Sequence, residues 1–326
     1  MKIFTYLCLT FCLLIACTNK TLQPVSIIFD TDLGPDYDDV GALTMLHAFA
    51  DSGQVTLLAT VSSNKNELVI PCIEVINTYF NRPMIPVGAP KSEGGVDLTT
   101  WHKDKWTEML PAKYKHQTKK TSDAPDAVKV YRKILNAQPD HCVIICTVGF
   151  LTNLKDLLLS EGDEITKLSG KELVARKVKR LVSMAGWFPE GREFNIHCDT
   201  QASIIVTENW PTEIIFSGFE IGKDILTGKR LVKMNVQNNP VKDTYELCFT
   251  EGDLNGRMSW DQTAVLVAVK GIEPYFASEQ GTIKVDQRGK NTWTANEKGK
   301  HIRLIQKMPP SEVAFIIENY MMHLPK

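Results

Sequence analysis

From Ser26 onward, short apolar runs rich in β-branched residues alternate with longer stretches in which apolar positions recur with a helical period. The predicted strands cover residues 26–30, 55–61, 142–147, 180–184 and 213–216. Predicted helices begin near Asp38, Glu67, Asp126, Leu151 and Thr200, and a further helix covers residues 260–269. This alternation predicts a single α/β domain with an open, mostly parallel sheet and helices on both of its faces.

Residues 92–120 interrupt the alternation, because they are rich in Gly, Lys and Trp and show no clean period. Long ordered loops of this kind often carry function. We therefore predict a long loop or flap, from which Trp101 and His102 could reach a substrate.

The N-terminus has the features of a targeting segment. A single charge at Lys2 precedes an apolar run that ends at Cys17, and the run is too short to span a bilayer. The stretch Leu14-Ile15-Ala16-Cys17 resembles the bacterial lipobox, in which the signal is cleaved before a lipidated cysteine. An ordinary signal peptide and a buried helix are the alternatives.

The lipobox resemblance implies a signal peptide at residues 1–16, a lipid anchor on Cys17 and a tether over residues 17–25. The folded domain then covers residues 26–326. It also implies a location in the cell envelope, on the periplasmic side or at the cell surface, with the lipid as the only attachment to the membrane.

The charge balance argues against a nucleic-acid partner. The chain has 37 Lys and Arg residues against 38 Asp and Glu residues and contains no basic block, whereas binding to phosphates requires a basic face. Five cysteines follow Cys17, an odd number with no C-x-x-C pair. A structural zinc site and a full disulfide framework are therefore both disfavoured.

Five carboxylates lie within ten residues just after the first predicted strand, on Asp30, Asp32, Asp36, Asp38 and Asp39. Two unit charges about 4 Å apart repel by about 4 kcal/mol at an effective dielectric constant near 20, so the cluster requires a cation. Oxygen ligands favour Ca²⁺ or Mg²⁺ over Zn²⁺. A helix N-terminus would explain the last two acids alone.

Two other Asp-rich patterns fit this segment less well. An EF-hand loop would need Gly and Glu where Pro35 and Gly41 stand. A phosphatase of the haloacid dehalogenase type would share Asp30-Thr31-Asp32 but expects Thr or Val in place of Gly34. The phosphatase remains a weaker alternative.

Three later segments also place polar groups at strand ends or helix starts. Residues 143–153 form an apolar strand that breaks at Gly149, and Asp261 opens the last predicted helix. In Glu193-Phe194-Asn195 a carboxylate stands close to an amide, and the two together can hold the hydroxyls of a sugar. Each segment alone is also compatible with a helix cap, a turn or a first-turn acid. In open α/β sheets such positions meet at one edge, where ligands bind.

Taken together and in this order, the segments resemble the nucleoside hydrolase family, the inosine-uridine nucleoside ribohydrolases and their relatives. The opening Asp30-Thr31-Asp32-Leu33-Gly34 followed by Asp38-Asp39 is similar to the family's D-x-D-x-G fingerprint, with a longer spacing before the Asp pair. The resemblance implies a Rossmann-like core and the following site. Asp32, Asp39, the Val148 carbonyl and Asp261 would hold Ca²⁺, and Asp38, Asn64, Glu193 and Asn195 would bind the ribose.

The resemblance implies a calcium-dependent N-ribohydrolase of nucleoside salvage, with Asp32 as the general base toward the attacking water. Trp260 stands where the family has its leaving-group His, and an indole can stack on a base but is no acid of suitable pKa. We therefore expect Trp260 to stack on the base, with Trp101 as a second partner, and expect purine ribonucleosides to be preferred. A non-catalytic lipoprotein that binds nucleosides or sugars around a structural calcium ion is the alternative.

The other histidines add little to this interpretation. His197 lies two residues beyond the ribose element, and the rest are assigned to the core or the surface: His47, His116, His141, His301 and His323. The sequence leaves the oligomeric state open, and a homo-oligomer is compatible with it.

Overall fold

The apolar runs form strands that are buried on both faces. In β1 (Val25–Thr31), Ile27 and Phe29 pack into one hydrophobic core, whereas Ile28 packs into a second. In β4 (Val143–Thr147), Ile144 and Ile145 divide in the same way. Because successive side chains of a strand point to opposite faces, a strand that is apolar at every position needs cover on both sides.

The computed structural model describes residues 23–326 except Trp101 and Asp104. The remaining strands are β2 (Val55–Ser62), β3 (Val87–Gly88), β5 (Val178–Met184), β6 (Glu190–Gly191), β7 (Glu213–Ser217), β8 (Leu226–Thr227), β9 (Arg257–Met258), β10 (Phe276–Val285), β11 (Asn291–Ala295) and β12 (His301–Gln306). The helices are α1 (Asp38–Asp51), α2 (Val69–Tyr79), α3 (Trp106–Lys113), α4 (Ala127–Ala137), α5 (Thr152–Leu159), α6 (Gly170–Lys177), α7 (Phe194–Cys198), α8 (Thr200–Asn209), α9 (Phe219–Gly222), α10 (Pro240–Thr250), α11 (Trp260–Lys270) and α12 (Pro310–Met321), with a 3-10 helix at Thr121–Asp123.

Ten strands form one sheet in the order β3-β2-β1-β4-β5-β7-β12-β10-β11-β6. The pairs from β3 to β12 are parallel, and β10, β11 and β6 extend the sheet with antiparallel pairs. Strands β8 and β9 form a separate antiparallel pair. The predicted single-domain α/β fold with a mostly parallel sheet is confirmed.

The five predicted strands and six predicted helices are all present, with bounds shifted by a few residues. β1 begins at Val25, one residue before the predicted start of the domain. The antiparallel extension by β10, β11 and β6 was not predicted, because these strands alternate buried and exposed positions and carry no long apolar run.

The segment 92–120 is not a loop throughout, which corrects the prediction. Helix α3 lies within it, and the Trp106 side chain at its start is fully buried in the core. Apolar side chains of this short helix pack into the core. The apolar positions recur too irregularly for the sequence pattern to predict the helix. Trp101, the second stacking partner predicted there, lies outside the described residues.

The predicted signal peptide, Cys17 and most of the tether also lie outside the described residues. Within residues 23–100, 102–103 and 105–326, no helix is both long and apolar enough to cross a membrane.

Candidate active site

An open cavity of about 230 Å³ lies where β1, β4 and β5 end. The cavity is lined by Asp32, Pro35, Asp36, Asp38, Asp39, Val148, Met184, Glu193, Phe194, Asn195, Phe219, Arg257, Trp260 and Asp261. All predicted site residues of the domain except Asn64 are among them. The parallel sheet thus brings together loops that are far apart in the chain.

Three buried aspartates form the tightest acidic group of the cavity. Carboxylate oxygens of Asp38, Asp39 and Asp261 all lie within 4.8 Å of one another. The Asp261 backbone N–H, in the first turn of α11, donates to Asp38 Oδ2 over 3.1 Å. This bond joins Asp38 directly to Asp261. The family resemblance, by contrast, implies Asp32 as a metal ligand and Asp38 as a ribose contact.

Burial and mutual repulsion act on all of these carboxylates. Burial raises the pKa of Asp39 to about 7, with the negative charge of Asp36 adding to the effect. The pKa of Asp32 is raised well above its usual value by burial first and then by the charges of Asp39 and Asp38. The same causes raise the pKa of Asp38 and of Asp261. Such a group of carboxylates lacks a counter-charge.

Short local contacts fix the loop that carries Asp32 and Asp39. The Thr31 hydroxyl donates to Asp39 Oδ1, and the Leu33 N–H donates to that hydroxyl over 3.0 Å. The loop after β4 approaches so closely at Gly149 that a Cβ there would lie 2.4 Å from the Asp32 backbone nitrogen. Glycine is therefore required where the strand ends of β1 and β4 meet.

Two of the five clustered aspartates, Asp30 and Asp36, have partners elsewhere in the protein. Asp30 is fully buried and accepts hydrogen bonds from Tyr131 Oη (2.7 Å) and Asn153 Nδ2 (3.1 Å). Asp36 lines the cavity but pairs with Arg257. Each of these two carboxylates therefore has a partner that is distant in sequence.

The predicted ribose element begins α7 at the cavity wall. The Glu193 carboxylate caps this helix, accepting from the backbone N–H groups of Asn195 (2.8 Å) and Ile196 (3.1 Å), and also from Gly186 (3.1 Å). The Asn195 amide donates to the Val148 carbonyl over 2.9 Å. These bonds tie the element to the end of β4, so that the two predicted groups share one wall.

Asn64 lies behind the cavity and is absent from its lining. Its Nδ2 donates to the Asp32 carbonyl (3.0 Å) and to the Leu98 carbonyl (2.8 Å), and its Oδ1 accepts from the backbone N–H groups of Asn66 and Leu98 (both 3.0 Å). The amide therefore holds the Asp32 loop against the segment near Leu98. The structure gives Asn64 a positioning role, and its direct contact with ribose stays a prediction.

Trp260 lines the cavity and belongs to a group of aromatic rings. Its indole N–H donates to the Phe219 carbonyl over 2.8 Å, and its ring stacks on Phe219 with centroids 5.2 Å apart. Phe219 also contacts Trp187, with centroids 4.5 Å apart. Because the indole N–H is already used, Trp260 can offer a substrate a ring face but no proton.

No histidine is found among the cavity-lining residues that the structure describes. His102 Nδ1 instead lies 2.6 Å from Glu251 Oε2, and its ring packs 4.3 Å from that of Tyr37. His47 is buried, and burial lowers its pKa to about 3. Among the residues described, therefore, no imidazole lies in the cavity wall as an acid for the leaving group.

Arg257 is a charged cavity residue that the sequence did not reveal. It is 9% exposed, pairs with Asp36 and donates from Nη1 to Asp253 Oδ2 over 2.9 Å. Its guanidinium carbon lies 5.8 Å from the centroid of the Trp260 ring. The flanking residues Gly256, Met258 and Ser259 form no motif, so the sequence offered no signal for this residue.

The donor set fits a hard divalent cation. It consists of oxygen atoms alone, in carboxylates that are buried and repel one another, and the neighbouring cation Arg257 is already paired with Asp36. A cation with several oxygen ligands would supply the missing charge. The acidic group can therefore hold a metal ion.

An open parallel sheet with an acidic, oxygen-lined cavity at its strand ends defines an α/β enzyme of the metal-dependent kind. The sequence profile of the inosine-uridine preferring nucleoside hydrolase family matches residues 27–316. The chain therefore belongs to this metal-dependent family and is a nucleoside N-ribohydrolase. The phosphatase alternative is thereby excluded.

Solved structures agree on the fold. An inosine-guanosine nucleoside hydrolase matches with a TM-score of 0.70 at 18% identity, covering 92% of this chain and 99% of its own. A plant nucleoside hydrolase, PpNRh1, gives 0.69 at 18% identity, with 92% and 99% covered. The purine-preferring ribonucleoside hydrolase from Gardnerella vaginalis gives 0.69 at 16% identity, with 91% and 99% covered. No curated protein sequence matches significantly.

Proposed function

We propose that this protein is a calcium-dependent hydrolase of purine ribonucleosides that releases ribose and the free base. The observation that carries the proposal is that Asp32, Asp39, Val148 and Asp261 line one cavity together with aromatic side chains. The cavity is lined by groups suited to both halves of a nucleoside: carboxylates and an amide for the ribose, and aromatic rings for the base.

Asp32, Asp39, Asp261 and the Val148 carbonyl would hold the Ca²⁺ ion. When bound, the ion supplies positive charge that lowers the pKa of a water molecule at the site. Hard oxygen ligands and the absence of cysteine and histidine from the lining residues described favour Ca²⁺ over Zn²⁺.

Asp32 takes the proton of the attacking water as general base. A water oxygen forms the new bond to the anomeric carbon while the N-glycosidic bond breaks, through an oxocarbenium-like transition state as in glycoside hydrolysis. Asp38, Glu193 and Asn195 orient the ribose. Because hydrogen bonds to α7 and α11 already fix these side chains, the site is organised before substrate arrives.

The aromatic wall supports the purine preference. Phe194, Phe219 and Trp260 line the cavity, and base-to-aromatic stacking contributes about 1–3 kcal/mol per base. Since Phe219 and Trp260 stack on each other, they form one aromatic surface against which a base would pack. A purine offers this surface more ring area than a pyrimidine does.

A binding protein without activity is the second candidate. Membership of a hydrolase family argues against it, and so does Asp32, because a pure binder needs no base. The experiment that decides is release of reducing sugar from a panel of purine and pyrimidine nucleosides by the soluble domain, residues 23–326. Binding of inosine without any sugar release, in the presence of Ca²⁺, would reject the enzyme.

We also propose, from the lipobox resemblance, that Cys17 anchors the protein to a membrane of the cell envelope. The lipid would be the only membrane attachment, and the nucleoside site would then lie outside the cytoplasm.

A further inference from the structure

Arg257 is held in place by two carboxylates but does not use all of its donors. A guanidinium has five N–H groups, and Arg257 gives one to Asp36 and one to Asp253. Three N–H groups therefore remain. The Nε–H is among them, and it is buried without any hydrogen-bond partner. The other two, one on Nη1 and one on Nη2, are the donors left for a ligand in the cavity.

The location of Arg257 points to the base half of the substrate. It lines the cavity and lies 5.8 Å from the ring of Trp260, the residue that stands where the leaving-group acid was expected. The ribose element with Glu193 and Asn195 belongs to the wall near Val148 instead. The guanidinium is therefore next to the aromatic subsite.

The charge of the cavity argues against a phosphate as the ligand of Arg257. Six lining residues are acidic: Asp32, Asp36, Asp38, Asp39, Glu193 and Asp261. Arg257 is the one cationic side chain among the lining residues that the structure describes, and Asp36 and Asp253 already compensate its charge. A neutral group with electron-rich acceptors, such as a nucleobase, is compatible with this field, whereas a phosphate dianion would be repelled.

We propose that Arg257 is a catalytic residue that hydrogen-bonds the leaving nucleobase and stabilises the negative charge that forms on it. The inference rests on the proposed function and names the group that replaces the missing acid. An arginine keeps its proton near neutral pH, so it acts here by hydrogen bonding and charge alone.

The step balances without an additional reactant. The bond between the anomeric carbon and the base nitrogen breaks, and its electron pair goes to the base, where the guanidinium N–H groups face the developing charge. The water oxygen bonds to the anomeric carbon, and the water proton goes to Asp32. The base anion then takes a proton from solvent as it leaves.

The test compares two ribosides that differ in their need for leaving-group stabilisation. Inosine requires it, whereas p-nitrophenyl β-D-riboside releases a phenolate that is stable near neutral pH. Removing one preorganised donor typically lowers turnover by about 10²–10³-fold. We expect Arg257→Gln to lower kcat/KM for inosine by about 100-fold or more, and for the p-nitrophenyl riboside by less than about 5-fold.

Arg303→Gln is the matched control, because Arg303 is also a partly buried arginine in an ion pair, with Glu279, but lies away from the cavity. It should leave both rates unchanged. If thermal unfolding shows that Arg257→Gln is not folded, Arg257→Lys, which keeps the charge but not the planar fork, should show the same split with a smaller loss on inosine.

Equal losses of kcat/KM on both substrates would show that Arg257 only holds the loop in place, and would overturn the proposal. So would an unchanged rate on inosine, or a loss confined to inosine 5′-phosphate, which would indicate an anion site. A wild-type protein that releases no base from any nucleoside would contradict the proposed function itself and this inference with it. An active wild type with an unaffected Arg257→Gln contradicts the inference alone.

Discussion

Asp36 and Arg257 form an ion pair in the cavity wall although 221 positions separate them in the chain. Asp36 stands in the longer spacing between the D-x-D-x-G opening and the Asp pair, and Arg257 lies just before α11. The pair ties the loop after β1 to the segment that delivers Trp260 and Asp261. Burial raises the pKa of Asp38 most and the charge of Asp36 raises it further, whereas the charge of Arg257 lowers it.

Removal of the metal should abolish activity and lower stability, because the buried carboxylates then repel one another. We expect exhaustive chelation to stop sugar release and saturating Ca²⁺ to restore it. A ligand at 100 times its Kd stabilises by about 2.7 kcal/mol, which in a domain of this size raises Tm by about 5 °C.

Differential scanning fluorimetry with and without Ca²⁺ measures the shift. Asp261→Asn should reduce it, whereas Asp286→Asn, on the surface, should preserve it. Full activity in a sample shown to be free of metal would refute the mechanism, and restoration by Mg²⁺ alone would refute the choice of ion.

Asp32→Asn should leave the fold intact and lower kcat by about 100-fold or more, because general-base catalysis contributes about 10²–10⁴-fold. Initial rates on inosine at saturating Ca²⁺ measure the effect, and the Tm of the variant verifies its folding. Retention of more than about a tenth of wild-type turnover is incompatible with Asp32 as the base.

The metal-free protein should lose stability as pH rises. The pKa of Asp39 is about 7 in the folded state and about 3.8 when unfolded, so folding favours the protonated acid. Its contribution is therefore fully present below about pH 3.8 and is lost as pH rises through about 7. With EDTA present, Tm should fall by several degrees between pH 5 and pH 8.

Two comparisons test whether Asp39 causes this fall of Tm with rising pH. Asp39→Asn should flatten it, and Ca²⁺ should reduce it, because the ion favours the ionised carboxylates. A Tm of the metal-free wild type that stays constant or rises over this range would show that Asp39 is not destabilised by burial.

Trp260→Ala should lower kcat/KM more for inosine than for uridine, because the lost stacking of about 1–3 kcal/mol is greater for the larger base. Steady-state kinetics on both nucleosides provide the ratio. Trp293→Ala, which removes an indole remote from the cavity, should leave that ratio unchanged. A wild-type preference for uridine, or equal losses on both substrates, would reject stacking on Trp260.

Cys17→Ser should release the protein from the membrane fraction of a bacterial host, because the thiol that carries the lipid is lost. Detergent partitioning of the wild type and the variant measures this, with Cys142→Ser as a control that should remain bound. Unchanged membrane association of Cys17→Ser would indicate a retained apolar segment in place of a lipid.

The sequence by itself determined the features that depend on neighbouring residues. Apolar runs such as that of β1 must be buried on both faces, which predicts a parallel sheet between helices. The acidic run that ends at Asp39, directly after β1, predicts a cation site at the edge of that sheet. These conclusions hold because a strand, a helix start and a charge cluster each consist of consecutive residues, which the sequence shows directly.

Only the tertiary structure decided which partners these carboxylates have. Asp30 accepts a hydrogen bond from Tyr131, 101 positions away, and Asp36 forms an ion pair with Arg257. The side-chain amide of Asn64 donates hydrogen bonds to backbone carbonyls behind the cavity. No local pattern marks Tyr131 or Arg257 as a partner, since each meets its carboxylate only when the sheet has placed distant strand ends side by side.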